Sequence, residues 1–140
     1  DRLGVRVFGA YTFVDARYTG GPYEGNELPY APNHLANGGV RLHAGPGVEA
    51  QVLITHLSNQ YADPENTENA SVDGLVGRMP SATTLDARIG ARIADRRGRG
   101  VSAFVAGKNL TNEGWVASRA PAGIQPAGFR SWQIGIEGEL

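Results

Sequence analysis

From Thr84 to Ile93 the chain alternates without a break. Leu85, Ala87, Ile89, Ala91 and Ile93 take one side, and Thr84, Asp86, Arg88, Gly90 and Arg92 take the other. Period two marks a strand with one apolar and one polar face. It recurs along the chain, whereas no apolar stripe returns at three and four residues over a long window. The pattern predicts an all-β chain, an antiparallel up-and-down meander of about six strands of roughly ten residues. The first covers residues 3–18, with Leu3, Val5, Val7, Tyr11 and Phe13 opposite Gly4, Arg6, Ala10 and Thr12, and with Phe8 and Val14 as exceptions. The second, residues 34–44, sets Ala36, Val40 and Leu42 against Asn37, Arg41 and His43. The third sets Val48, Ala50, Val52 and Ile54 against Glu49, Gln51 and Thr55. The fifth has Val101, Ala103 and Val105 on one face, blurred by Phe104 and Ala106. The last places Trp132, Ile134, Ile136 and Leu140 opposite Ser131, Gln133, Glu137 and Glu139.

The connections alternate in length. Short turns are expected at residues 45–47 and 94–100, and long polar loops at 19–33, 58–81 and 113–130. Membrane barrels show this rhythm, with short turns on the periplasmic side and long loops outside. Arg41, Glu49, Asp86, Arg88, Arg92, Glu137 and Glu139 are costly in a dry core but acceptable beside a wet or plugged lumen. A soluble antiparallel sandwich produces the same alternation with its apolar faces turned inward. Periodicity therefore leaves two readings open, a membrane barrel and a soluble β-sandwich binding module. Under the second, Leu85, Ile89, Ile93, Ile134 and Ile136 share a dry core.

Composition removes other classes. Net charge is -1 over 140 residues, so no basic excess points to nucleic acid. Cysteine is absent, and with it any disulfide framework or thiolate site. No run approaches the ~18 apolar residues of a spanning helix, which a barrel strand does not need. The chain opens on Asp1 without a signal peptide, and an upstream portion is expected.

A search for reactive constellations yields none: no G-x-S-x-G, no H-E-x-x-H, no P-loop. A small secreted hydrolase is disfavoured, and no catalytic residue, cofactor or resident metal is expected. His34, His43 and His56 are scattered singly, better read as interface or lumen residues than as metal ligands. The acidic stretch 63–69 with Asp73 lacks EF-hand spacing and reads as a solvated loop more readily than as a Ca²⁺ site. Arg96, Arg97 and Arg99 read as a solvated turn. Tyr18, Trp115, Phe129 and Trp132 fit an interfacial aromatic girdle.

Four segments carry a family resemblance. They are Leu28-Pro29-Tyr30-Ala31-Pro32-Asn33-His34, then Gly77-Arg78-Met79-Pro80-Ser81 with Leu85-Asp86-Ala87, then Lys108-Asn109-Leu110-Thr111-Asn112, and finally Gly123-Ile124-Gln125-Pro126-Ala127-Gly128-Phe129-Arg130. In this order they resemble the late strands and loops of TonB-dependent outer-membrane receptors, of the ferric-siderophore and ferric-dicitrate-like group. The marking residues are Pro29, Tyr30, Pro32, His34, Pro80, Asp86, Lys108, Asn109, Leu110, Gly123, Ile124, Pro126 and Arg130. Departures are Gly114-Trp115-Val116 after the Lys-Asn-Leu motif, and Gly138 and Leu140 where such barrels carry aromatics.

The resemblance implies that residues 1–140 are the C-terminal sector of a large transmembrane barrel, with the plug and remaining strands elsewhere. It implies uptake of a ferric chelate across the outer membrane of a Gram-negative bacterium. The implied partners are outer-membrane lipid, the chelate, the TonB complex through an N-terminal region, and the barrel-assembly machinery through the last strand. In the outer vestibule, anionic ferric chelates would favour arginine and hydrogen-bond donors. Tyr61, Arg78, Arg119, Gln125 and Arg130 are the candidate contacts.

Overall fold

The computed structural model describes residues 3–45, 47–96, 99–120 and 123–138. Its strands are β1 (Leu3–Phe13), β2 (His34–Ala44), β3 (Val48–Leu57), β4 (Gln60–Tyr61), β5 (Arg78–Met79), β6 (Ala82–Arg96), β7 (Arg99–Lys108), β8 (Val116–Ala120), β9 (Gly123–Pro126) and β10 (Ser131–Gly138). β1, β2, β3, β6, β7 and β10 form one antiparallel sheet in that order, each the neighbour of the next. The six long strands expected from period two are these six. Among the described residues β1 pairs with β2 alone and β10 with β7 alone, so the sheet has two open edges.

Register aligns the alternation across every strand. Val5 lies opposite Leu42, Leu42 opposite Ala50, Ala50 opposite Ile89, Ile89 opposite Val105, and Val105 opposite Ile134. One row away, on the other face, Arg6, Arg41, Gln51, Arg88, Ala106 and Gln133 are matched in the same way. A slip of one residue in any strand would exchange its faces. Near the short-turn end a bulge between Arg92 and Ala94 leaves Ile93 without a partner in β7, a common device at barrel rims.

Among the described residues nothing covers the apolar face. Val7 is 74% and Ile134 80% exposed, and the buried hydrophobic residues are Met79 and Ala82. Accessible surface is 9415 Å², against about 7,000 Å² for a compact folded chain of this mass. A sandwich needs a second sheet packed about 10 Å away. Here Ile89, Ile93, Ile134 and Ile136 all lie exposed on a single layer. The soluble β-sandwich reading is therefore overturned.

Two exceptions to the alternation have one cause. Phe8 lies opposite Gly39, and Phe104 opposite Gly135. A methyl group on Gly39 would meet Phe8 Cζ at 2.8 Å, and one on Gly135 would meet Phe104 Cζ at 2.5 Å. Each ring thus lies over a neighbouring glycine on the polar face and fills the space a side chain would take. β1 ends at Phe13, short of the expected Tyr18; Val14 N still bonds Asn33 O at 3.0 Å, one position further along the same register, and the loop follows. The long loops also hold two small antiparallel ladders, β4 with β5 and β8 with β9.

Candidate functional site

All three long connections leave the same end of the sheet. Residues 14–33 join β1 to β2, 58–81 join β3 to β6, and 109–130 join β7 to β10. The candidate site is the cap they form and the polar face beneath it.

Asn109 organises the third loop. It is buried, with φ of 48°, a left-handed conformation that asparagine tolerates better than most residues. Its Nδ2 donates to Glu113 O and Gly128 O, both at 2.9 Å, so the two ends of the loop are held by one amide. Its Oδ1 accepts from Glu113 N at 2.9 Å and Thr111 Oγ1 at 3.1 Å. Leu110 N bonds Leu85 O at 2.7 Å, and a Cβ on Gly107 would collide with the Leu110 side chain at 2.5 Å. The Lys108-Asn109-Leu110 motif thus closes β7 and anchors the loop on β6.

The first two loops interlock through Asn66. Its Oδ1 accepts Glu27 N at 2.6 Å and its Nδ2 donates to Glu27 O at 2.9 Å, the pairing one strand makes with another. Asn26 Nδ2 adds a bond to Pro64 O at 2.9 Å. Asp63, only 4% exposed, accepts Gly77 N at 3.0 Å, Thr67 N at 3.1 Å and Thr67 Oγ1 at 2.8 Å. Burial pushes the Asp63 pKa up, but the hydrogen bonds from Gly77, Thr67 and Glu65 outweigh it and hold the carboxyl below its ordinary value. The expectation of a solvated acidic loop holds for the exposed Glu65, Glu68, Asn69 and Asp73 and is corrected at Asp63 alone, which is an internal fastener.

Tyr61 and Arg78 are opposite one another in the β4–β5 ladder and grip one carboxylate. Tyr61 OH donates to Glu68 Oε1 at 2.7 Å, and Arg78 Nη1 donates to Glu68 Oε2 at 3.0 Å. These bonds, Tyr61 first, pull Glu68 below the usual carboxylate range, and Tyr61 is raised in return. Arg119 links all three loops. Its Nη1 donates to Gly74 O at 2.7 Å, its carbonyl accepts the Tyr30 hydroxyl at 2.5 Å, and its N reaches the same hydroxyl at 3.3 Å. Arg119 Nε is buried without a hydrogen-bond partner. Ile124 packs over Gly74 from the β9 side of the same hairpin. Gln125 Oε1 accepts Ser118 Oγ at 3.0 Å across the β8–β9 ladder. Arg130 stands exposed just before β10.

The other marked residues sit at junctions. Pro29, Tyr30 and Pro32 lie in the last turn of the first loop, where Tyr30 N bonds Tyr61 O at 2.9 Å. His34 starts β2, Pro80 separates β5 from β6, and Gly123 to Pro126 is β9. The Tyr30–Arg119 contact went unforeseen, because it joins residues 89 positions apart in two loops without periodicity.

The histidines stay apart. His34 Nδ1 meets Tyr11 OH at 2.7 Å, His56 Nδ1 meets Thr83 Oγ1 at 2.8 Å, and His43 Nδ1 lies 3.3 Å from Glu49. Tyr18 is not at a strand end but deep in the first loop against Tyr23, ring centres 5.8 Å apart. Trp132 stands exposed on the apolar face at the start of β10, as expected, and Tyr11 and Phe13 add exposed aromatic surface to the same face. Arg97, Glu139 and Leu140 lie outside the described residues, as do the side chains of Arg96 and Arg99.

On the polar face Arg88 Nη2 pairs with Glu137 at 2.5 Å, and its guanidinium carbon sits 4.1 Å from the centre of the Phe104 ring. Arg41 Nε and Nη2 both donate to Gln51 Oε1, at 3.2 and 2.8 Å. The face is polar, ordered and open.

Known proteins share this architecture. A family model described as "TonB dependent receptor-like, beta-barrel" matches residues 2–110. The unliganded ferric citrate transporter FecA superposes with a TM-score of 0.84 at 25% identity, over 96% of this chain and 20% of that one. BauA, the ferric preacinetobactin receptor from Acinetobacter baumannii, gives 0.75 at 20% identity, over 94% of this chain and 19% of its own. Fiu, the ferric-catecholate import receptor from K12 E. coli, gives 0.73 at 18% identity, over 94% and 18%. The chain thus spans about a fifth of the length of these structures.

Proposed function

Since the chain belongs to the TonB-dependent receptor β-barrel family, we propose that it is a sector of the barrel wall of an outer-membrane receptor that takes up a ferric siderophore or similar iron chelate. One observation supports this most. A single-layer sheet leaves its whole apolar face bare and carries an ordered polar face behind it. Lipid on one side and a filled lumen on the other satisfy both faces. The open edges of β1 and β10 require further strands, because lipid offers no partner for free backbone groups.

On this reading residues 1–140 are the C-terminal part of the barrel, and the plug and other strands belong to the rest of a longer polypeptide. About 22 strands close the barrel of a plugged outer-membrane transporter. The sheet is wall, the latched loops are one side of the outer vestibule, and β10 presents the strand that the barrel-assembly machinery engages. Tyr61, Arg78, Arg119, Gln125 and Arg130 line the rim available to an incoming chelate. Transport is binding coupled to a conformational change driven through the TonB complex.

The test is uptake of radioactive iron by an iron-starved Gram-negative host whose only ferric-chelate receptor is the full-length protein containing this chain. Energy-dependent uptake that disappears without TonB is expected. A protein absent from the outer-membrane fraction, or uptake indifferent to TonB, would overturn the reading.

A further inference from the structure

Two histidines stand on the apolar face, at its loop end. His34 opens β2 on the side of Ala36 and Val40, and His56 lies near the end of β3 on the side of Val52 and Ile54. Ala36 lies opposite His56, and Ser58 N bonds His34 O at 2.9 Å, so the two imidazoles are diagonal neighbours on adjacent strands. Such neighbours have backbones about 7–8 Å apart and side chains closer still. Among the described residues of β1, β2 and β3 no carboxylate shares this face.

Each ring is fixed through its Nδ1. Tyr11 OH lies 2.7 Å from His34 Nδ1, and Thr83 Oγ1 lies 2.8 Å from His56 Nδ1. Tyr11 and Phe13 flank the His34 ring, with ring centres 6.0 and 5.2 Å away. When the hydroxyl donates to Nδ1, the neutral ring carries its proton on Nε2, and the imidazolium carries one there as well. Among the described residues no group engages either Nε2. Both rings therefore hold out an N–H donor on the face turned to lipid, where an unanswered donor is costly. Asp15 and Glu27, the acids that follow β1 along the chain, are paired with Arg17.

We infer that His34 and His56 form a site on the outer wall for the phosphate of an outer-leaflet lipid, with one phosphate accepting from both Nε2 groups. The inference rests on the reading that the apolar face meets lipid, and adds a lipid ligand to it. The loop end of that face lies at the headgroup level, where barrels carry their aromatic girdle. A phosphate monoester offers three strong acceptor oxygens, enough to serve two converging donors. Val7, Val40 and Ile54, exposed further down the same face, offer surface to the acyl chains. A solute in the lumen cannot reach the pair, which lies behind the sheet.

The test supplies the full-length receptor, in uncharged detergent micelles, with lipid A bearing its phosphates or with lipid A stripped of them. Native mass spectrometry reads the lipid retained. Wild type should hold the phosphorylated form roughly tenfold more strongly, because hydrogen bonds to a charged group exceed neutral ones. His34→Phe/His56→Phe keeps two rings at the rim without their N–H groups and should abolish the preference. His34→Gln/His56→Gln restores a donor at each position and should recover part of it. Melting temperatures in lipid-free micelles should stay near the wild-type value. A preference that survives in the Phe pair, or a wild type that shows none, overturns the inference and leaves the uptake reading intact. If the Phe pair folds poorly, wild type in lipid A vesicles decides. In solid-state NMR, lipid phosphorus should dephase the Nε2 signals of His34 and His56 and spare His43, which lies on the polar face beside Glu49. Absence of that dephasing overturns the inference alone. A receptor that stays out of lipid vesicles overturns the barrel-wall reading and the inference together.

Discussion

The backbone N–H of Asn109 donates to the Asp86 carboxylate at 2.8 Å and ties the end of β7 to the neighbouring strand β6. Asp86 lies on the polar face of the sheet, and its Oδ1 is engaged by this anchor. The two residues belong to separate marked motifs; the contact explains the acid at Asp86, while the asparagine at 109 is explained by its own side-chain bonds to Glu113, Gly128 and Thr111. A carboxylate accepts a backbone donor at the exact point where the ladder stops and leaves that donor unpaired.

Replacing Asn109 by alanine should loosen the third loop. The substitution removes four hydrogen bonds made by a buried side chain. It also places alanine at a φ of 48°, so the loss should be about 2–4 kcal/mol. Urea unfolding of the full-length receptor in micelles reads the stability, and limited proteolysis within residues 109–130 reads the loop. Asn109→Gly keeps the backbone conformation and separates the two contributions. An alanine variant as stable and as protease-resistant as wild type would refute the clamp.

Phe104 and Gly135 should behave as a pair. A Cβ on Gly135 would stand 2.5 Å from the Phe104 ring, so Gly135→Ala alone should destabilise by about 1–3 kcal/mol. Phe104→Ala alone uncovers the glycine backbone and the face of Arg88. In the double variant the methyl group occupies the space the ring has left. A double-mutant cycle should give a coupling of at least about 0.5 kcal/mol, and strict additivity would contradict the stacking.

The long strands were legible because each presents enough residues for period two to repeat, and Gly45 and Gly47 punctuate the β2–β3 turn. Phe8 and Phe104 looked like faults in that pattern, because only register reveals a glycine across from each. β4 and β5 are two residues long, and two residues have no periodicity to read. The candidate rim residues stand out by their chemistry, which the sequence displays. Their holding partners, Glu68, Gly74 and Tyr30, come from loop contacts that no local rule encodes. Asp63 looked like one acid among several, and burial alone distinguishes it.

Asp63 makes the second loop sensitive to acid. Its carboxyl is held below its ordinary value of 3.8 by bonds to Gly77, Thr67 and Glu65 that outweigh burial. A depressed folded-state pKa contributes stability that is present above the unfolded value and is lost as pH falls through the folded one. The loop should therefore be fully protected at neutral pH and open below the ordinary carboxylate range. Hydrogen exchange at the Gly77 and Thr67 amides reads this directly. Asp63→Asn should expose both amides at neutral pH and flatten the dependence, whereas protection unchanged by acid would rule out this role for the carboxylate.

Ile54 and Thr55 are adjacent in β3 and point to opposite faces, so one substitution can be placed on either side of the wall. Ile54 is exposed near the middle of the apolar band, opposite Gly38 and Leu85. Thr55 is opposite Asn37 and Thr84 on the polar face. If the apolar face meets lipid, Ile54→Arg should cost about 2–4 kcal/mol at mid-membrane depth. Thr55→Arg, whose charge enters the lumen, should cost much less. Folding of the full-length receptor into lipid vesicles, followed by heat-modifiable migration and urea titration, compares them. Equal penalties, or the larger one at Thr55, would reverse the assignment of the faces and with it the direction in which the chain lines a barrel.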